Sequence, residues 1–263
     1  MNARPRPRRR HHQPSPIARW WPVAAVLAAF LVLVVQPVPA TAGGAGTAGT
    51  EPEPLPKVLI LGDSISIDYL PFVREELAGI AEVIRPEAED GGRYNCEGTT
   101  KGLAEIDNWL ALSGDQPWAV IHFNFGLHDM KRIDPATGRD SRQPEHPRQA
   151  EPDVYANQLE RLVERLRHSQ PGAALIFATT TPVPDAPVSP HRDATDPPRY
   201  NAIAAAIMQR HEARVNDLFS AADANIEAWQ RPANVHFTEP GSRGLGKQVA
   251  AHIRAALEAG AEP

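Results

Sequence analysis

Cysteine is almost missing from this 263-residue chain: Cys96 is the only one, so no internal disulfide can form and the core must hold the fold alone. Positive charge is also in short supply. There are 27 Lys and Arg against 32 Asp and Glu, and six of the basic residues (Arg4, Arg6, Arg8, Arg9, Arg10 and Arg19) stand in the first 19 positions. Beyond residue 42 the balance is 21 basic to 32 acidic, a formal net charge of −11. Such a domain lacks the basic footprint of a nucleic-acid binder, and it would repel anionic polymers. There is no internal repeat. The one long apolar run, Val23 to Val35, has 13 residues, short of the ~20 that a membrane-spanning helix needs.

That run sits between the arginine-rich start and a small-residue site ending in Ala40-Thr41-Ala42, with no acid before it. Basic region, short apolar region and small-x-small site together predict a secretory signal peptide over residues 1–42. The mature chain is then exported, periplasmic or extracellular, with no stable membrane insertion; the alternative is an uncleaved amino-terminal anchor. Residues 43–56, rich in Gly, Ala and Pro, read as a linker. One domain of about 200 residues, 57–260, follows and is large enough for a good core.

Within it, strand and helix patterns alternate. Val58–Leu61, Ala81–Arg85, Trp118–Phe123, Ala173–Ala178 and Val215–Leu218 read as short buried strands. Helices are predicted after Ser64 (Asp68 as cap, Pro71 in the first turn), around Leu103, Ile106 and Leu110, over Tyr155–Leu166, over Tyr200–Arg214 and over Ser242–Leu257. This alternation predicts an α/β fold with a five-stranded parallel sheet and helices on both faces. Ligands bind beyond the carboxyl ends of such strands, so the loops 62–66, 91–99, 124–130, 179–198 and 232–238 should converge on one crevice.

Those loops carry the chemistry. Gly62-Asp63-Ser64 ends the first strand; Asn95-Cys96-Glu97-Gly98 lies in the second loop; Asn124-Phe125-Gly126-Leu127-His128-Asp129 follows the third strand; Asn234-Val235-His236 precedes the last helix. A serine early and a histidine late, both at strand edges, suit acyl transfer, in which the imidazole takes the serine proton and returns it to the leaving group. The N–H groups of Ser64 and Gly98, with a side chain from the third loop, could hold the developing oxyanion.

These four blocks, in this order, resemble the SGNH or GDSL-type serine hydrolases across essentially the whole mature domain. The resemblance implies a flavodoxin-like three-layer α/β/α sandwich and an esterase or carbohydrate deacetylase that works without metal or cofactor. It further implies Ser64 as nucleophile, His236 as base, and Ser64, Gly98 and His128 (alternatively Asn124) as oxyanion donors. A small-molecule or carbohydrate ester is the expected substrate, with no nucleic-acid partner.

Two positions depart from the pattern. His128 stands where the family has its oxyanion asparagine. Ala233 stands three residues before His236, where the family has the aspartate that orients the base. Losing that carboxylate typically costs about 10⁴-fold in turnover. A backbone carbonyl could hold the ring N–H instead, as in the Ser-His dyads of the family the chain resembles, or Asn234, Asp217 or Glu239 could substitute. The absent aspartate also motivates an alternative from another class, a catalytically impaired binding module on the same fold. His122, His128 and Asp129 do not have the spacing of a familiar metal set, and His122 reads as an ordinary strand histidine.

Overall fold

The computed structural model describes residues 53–260; the expected signal peptide lies outside them. Five strands form one all-parallel sheet: β1 (Lys57–Leu61), β2 (Glu82–Ile84), β3 (Trp118–Phe123), β4 (Ala174–Ala178) and β5 (Arg214–Asn216), in the order β2-β1-β3-β4-β5. Every strand is reached through a crossover that contains a helix, which is what parallel pairing requires. The order is the flavodoxin-like one, with the chain reversing direction across the sheet between β1 and β3.

Strand side chains alternate between two cores. Val58 and Ile60 face one side, with Val120, Ile176 and Ala178; there α1 (Ser64–Glu76) and α7 (Glu239–Gly260) cover them. Leu59 and Leu61 face the other, with Ile121, Phe123, Leu175 and Phe177, beneath α2 (Thr99–Leu110), α3 (Pro152–Ser169) and α4 (Asp196–Arg210). Buried on both faces, the strands read as continuous apolar runs. Two short helices, α5 (Leu218–Asp223) and α6 (Ile226–Trp229), lead from β5 to the last loop. No described helix is long and apolar enough to cross a membrane.

Several boundaries differ from the sequence reading. Helix α1 begins at Ser64 itself, because Asp63 caps it by accepting the Ile65 N–H at 2.9 Å; Asp68 instead pairs with Arg93, and Pro71 lies inside the helix. Helix α4 starts earlier than predicted because Pro197 fits a first turn, where a missing N–H costs nothing. Strand β5 stops at Asn216, since Asp217 caps α5 through the Ser220 N–H.

Candidate active site

The serine is delivered by the turn between β1 and α1. Asp63, buried, spends one carboxylate oxygen on the Ile65 N–H, and Ser66 Oγ donates to the Asp63 carbonyl at 2.6 Å. Ser64 is thereby fixed as the first residue of a helix, where its own N–H is an orphan donor. Burial pushes the Asp63 carboxyl above its ordinary range, against the pull of the Ile65 N–H and the charges of Arg192, His236 and Arg85.

The histidine arrives on a narrow loop. Gln230 bridges Phe237, the Arg231 N–H donates to the His236 carbonyl, and Arg231 Nε donates to the Phe237 carbonyl. His236 Nε2 lies 2.9 Å from Ser64 Oγ. Its Nδ1 lies 2.8 Å from Asn234 Oδ1, which also accepts the backbone N–H of His236 at 2.9 Å. A backbone N–H must face an oxygen, so the amide orientation is settled, and the ring nitrogen beside it carries the proton. Nε2 is then bare and accepts the Ser64 hydroxyl. In this geometry an imidazole can take the hydroxyl proton.

Ala233 occupies the position the resemblance reserves for an aspartate, with φ at +48°. The left-handed step turns the chain so that the next side chain, Asn234, folds back onto the ring. Asp217 is spent on Ser220 and Thr179. Glu239 is exposed at the start of α7, near Arg243. Of the three substitutes, Asn234 is the one in contact with His236.

The second and third loops are locked together by Asp129. Its Oδ1 accepts the Thr99 N–H (2.9 Å) and hydroxyl (2.5 Å), capping α2. Gly98 stands directly before that cap, and a Cβ there would sit 2.8 Å from Asp129 Oδ2, so the close approach needs glycine. Gly126 has φ at +154° and packs on Thr180, where any side chain would overlap the hydroxyl. Burial raises the Asp129 carboxyl to about 6, against the Thr99 hydrogen bonds.

Among the described residues, neither the Ser64 N–H nor the Gly98 N–H donates to another group. His128 is partly buried, with Nε2 3.5 Å from Asn95 Nδ2. Asn124 is turned elsewhere: its Nδ2 donates to the Ala178 carbonyl at 2.7 Å, at the end of β4. His122 is fully buried in β3, 3.2 Å from Asn216 Nδ2. Among the described residues no group of three His, Cys, Asp or Glu is arranged to hold a metal ion.

Two arginines to which the sequence reading gives no part in the site support it. Arg85, at the end of β2, donates to Ser66 Oγ (3.0 Å), the Gly62 carbonyl (3.2 Å) and the Tyr94 carbonyl (2.8 Å), joining the first loop to the second. Arg192, buried on the fourth loop, donates to the Leu127 carbonyl at 2.6 Å, beside His128. Both stand in stretches whose sequence pattern shows only a strand end or a polar loop, so nothing local marks them.

The model of the GDSL-like lipase/acylhydrolase family matches residues 60–243. No curated protein matches the chain significantly in sequence. Among solved structures, a lipase/acylhydrolase from Enterococcus faecalis is similar at TM-score 0.58 and 18% identity, covering 76% of this chain and 96% of that one. A carbohydrate esterase of family 3 from Talaromyces cellulolyticus gives 0.57 and 17%, covering 78% and 99%. A catalytic mutant of an acetylxylan esterase from Geobacillus stearothermophilus gives 0.57 and 14%, covering 75% and 94%. At these identities the likeness establishes the fold.

Proposed function

The chain belongs to the GDSL-like lipase/acylhydrolase family, and from that premise we propose that it is an exported serine esterase or deacetylase acting on a short acyl ester, with an acetylated carbohydrate as the substrate class. Ser64 Oγ attacks the acyl carbon while its proton passes to His236 Nε2. The tetrahedral oxyanion is held by the N–H groups of Ser64 and Gly98 and by His128. Its collapse expels the alcohol, which takes the proton back from His236. Water, activated by the same ring, then hydrolyses the acyl-enzyme. Asn234 keeps Nδ1 protonated throughout and so holds the base in the working tautomer.

The observation that carries this reading is the relay Asn234 Oδ1, His236, Ser64 Oγ at 2.8 and 2.9 Å. The carbohydrate ester draws support from the named activities of two structural neighbours. Export rests on the signal pattern of residues 1–42.

Hydrolysis of a short activated acyl ester and of an acetylated xylo-oligosaccharide tests it. Wild-type protein should turn over both, and Ser64→Ala should fall to background. Equal, near-background rates for wild type and Ser64→Ala on both substrates would instead favour a binding module.

A further inference from the structure

Two side-chain nitrogens at the site face each other, and whether one accepts depends on where the ring carries its proton. Asn95 Nδ2 and His128 Nε2 are 3.5 Å apart, at the outer limit of a hydrogen bond and well beyond the usual optimum of about 3 Å. The amide orientation is settled by its other end, since Asn95 Oδ1 accepts the Glu97 N–H at 2.8 Å. Nδ2 must therefore face the ring.

The loop that carries Asn95 is firmly placed. Glu97 adopts φ of +57°, and Lys101 Nζ clamps both the Asn95 carbonyl (2.9 Å) and the Glu97 carboxylate (3.0 Å). On either side of Asn95 the chain is tied to the nucleophile turn. The Cys96 N–H donates to the Gly62 carbonyl at 3.2 Å, and Arg85 holds the Tyr94 and Gly62 carbonyls together.

The ring's proton can be placed as well. His128 Nδ1 is fully buried and has no partner. Leaving an acceptor lone pair unpaired there is easier than stranding an N–H, so the proton belongs on Nε2. Burial, together with Lys131 and Arg192, lowers the ring to about 3, which keeps it neutral in ordinary buffers. Nε2–H and Nδ2–H are then two donors without an acceptor, on the loop that carries Gly98 and the loop after β3, and the Cys96 N–H ties the first of these to the turn that carries Ser64. Donors gathered without an acceptor make an anion site.

We propose that Asn95 is a catalytic residue: its Nδ2–H, paired with the Nε2–H of His128, donates to the oxyanion. This rests on the serine-hydrolase reading and adds a donor to it. The side-chain amide absent from the third block is supplied from the second. As the Oγ–C bond forms, the carbonyl π pair moves onto oxygen and the Oγ proton moves to His236. Asn95 and His128 give up no proton; their hydrogen bonds only shorten. When the carbonyl re-forms, the bond to the alcohol breaks and His236 protonates the leaving oxygen.

Steady-state kinetics of wild type, Asn95→Ala, Asn95→Asp and Ser64→Ala on one short acyl ester test the assignment. Removing one such donor should lower kcat about 10²–10³-fold, with KM moved by no more than about threefold and the Tm lowered by only a few degrees through the lost Glu97 N–H bond. Asn95→Asp, the same shape with a repelling charge, should lose at least as much, and serves if the alanine variant does not fold. A wild-type kcat in either folded variant, or a loss confined to KM, overturns the proposal. Nitrogen-15 NMR of histidine-labelled protein, with His128→Asn to assign the signal, should show His128 protonated on Nε2; a proton on Nδ1 overturns the proposal whatever the turnover. Activity that survives Ser64→Ala sinks the serine reading and this one with it. Activity lost in Ser64→Ala but kept in Asn95→Ala sinks this one alone.

Discussion

Asn234 gives His236 an oxygen to lean on but no charge. A carboxylate in a catalytic triad does two things: it fixes the tautomer, and it stabilises the imidazolium formed as the base accepts a proton. The amide oxygen of Asn234 performs the first, because it faces the ring with its acceptor. Asn234→Asp should add the second. The position is exposed, so solvent limits the gain to about 1 kcal/mol, roughly five- to tenfold in kcat. A neighbouring negative charge also favours the protonated ring, so the acid limb of the kcat/KM profile should move to higher pH. An unchanged limb in the aspartate variant would argue that Asn234 does not face the ring in solution. The sequence put Asn234 beside Asp217 and Glu239 without choosing between them. The choice turned on the left-handed φ at Ala233, a backbone detail that an alanine does not advertise.

At the scale of elements, the site depends on how loops are tied to strand ends. Arg85 is the main tie. A buried guanidinium is costly, and desolvation lowers its pKa. Three acceptors on two different loops offset that cost. Arg85→Met would leave the Gly62 and Tyr94 carbonyls without that donor. A loss of about 2–4 kcal/mol in urea unfolding is expected, with kcat falling as the nucleophile turn loosens. Stability equal to wild type would show that water replaces the guanidinium without loss. Helix α1 illustrates how nearly the sequence located this element. The apolar strand, the glycine and the serine were all legible in order. The cap was misplaced at Asp68, because propensity alone cannot distinguish two aspartates five residues apart when only one of them is buried beside the Ile65 N–H.

For the molecule as a whole, stability should depend on pH through a carboxyl that no surface pair explains. Asp129 is fully buried and titrates near 6 in the fold, against about 3.9 in an unfolded chain. The native state therefore holds the extra proton between about pH 4 and 6, so stability falls as pH rises through that window, by up to about 3 kcal/mol. Asp129→Asn keeps an acceptor for Thr99 and removes the buried charge. Its advantage over wild type in urea midpoint should grow from pH 4.5 to pH 7. A difference independent of pH would mean that Asp129 does not titrate there. The two long loops, 130–151 and 179–195, are tied to each other and to the start of α4 by ion pairs of Arg132 and Arg148 with Asp193 and Asp196, and Arg192 donates to the Leu127 carbonyl, one residue before His128.

The sequence by itself determined the alternation of strand and helix, the inward faces, and the four blocks with Ser64 and His236 among them. These follow from short-range rules: strand period, helix period, and the glycines and polar residues that end them. Tertiary structure alone decided which further side chains come into contact at the candidate site. Asn95, Arg85 and Arg192 meet their partners through contacts with groups far along the chain, and Asn234 meets His236 through a single backbone angle. Hydrogen-bond geometry of that kind depends on how the sheet brings separate loops together, and local sequence pattern carries no record of it.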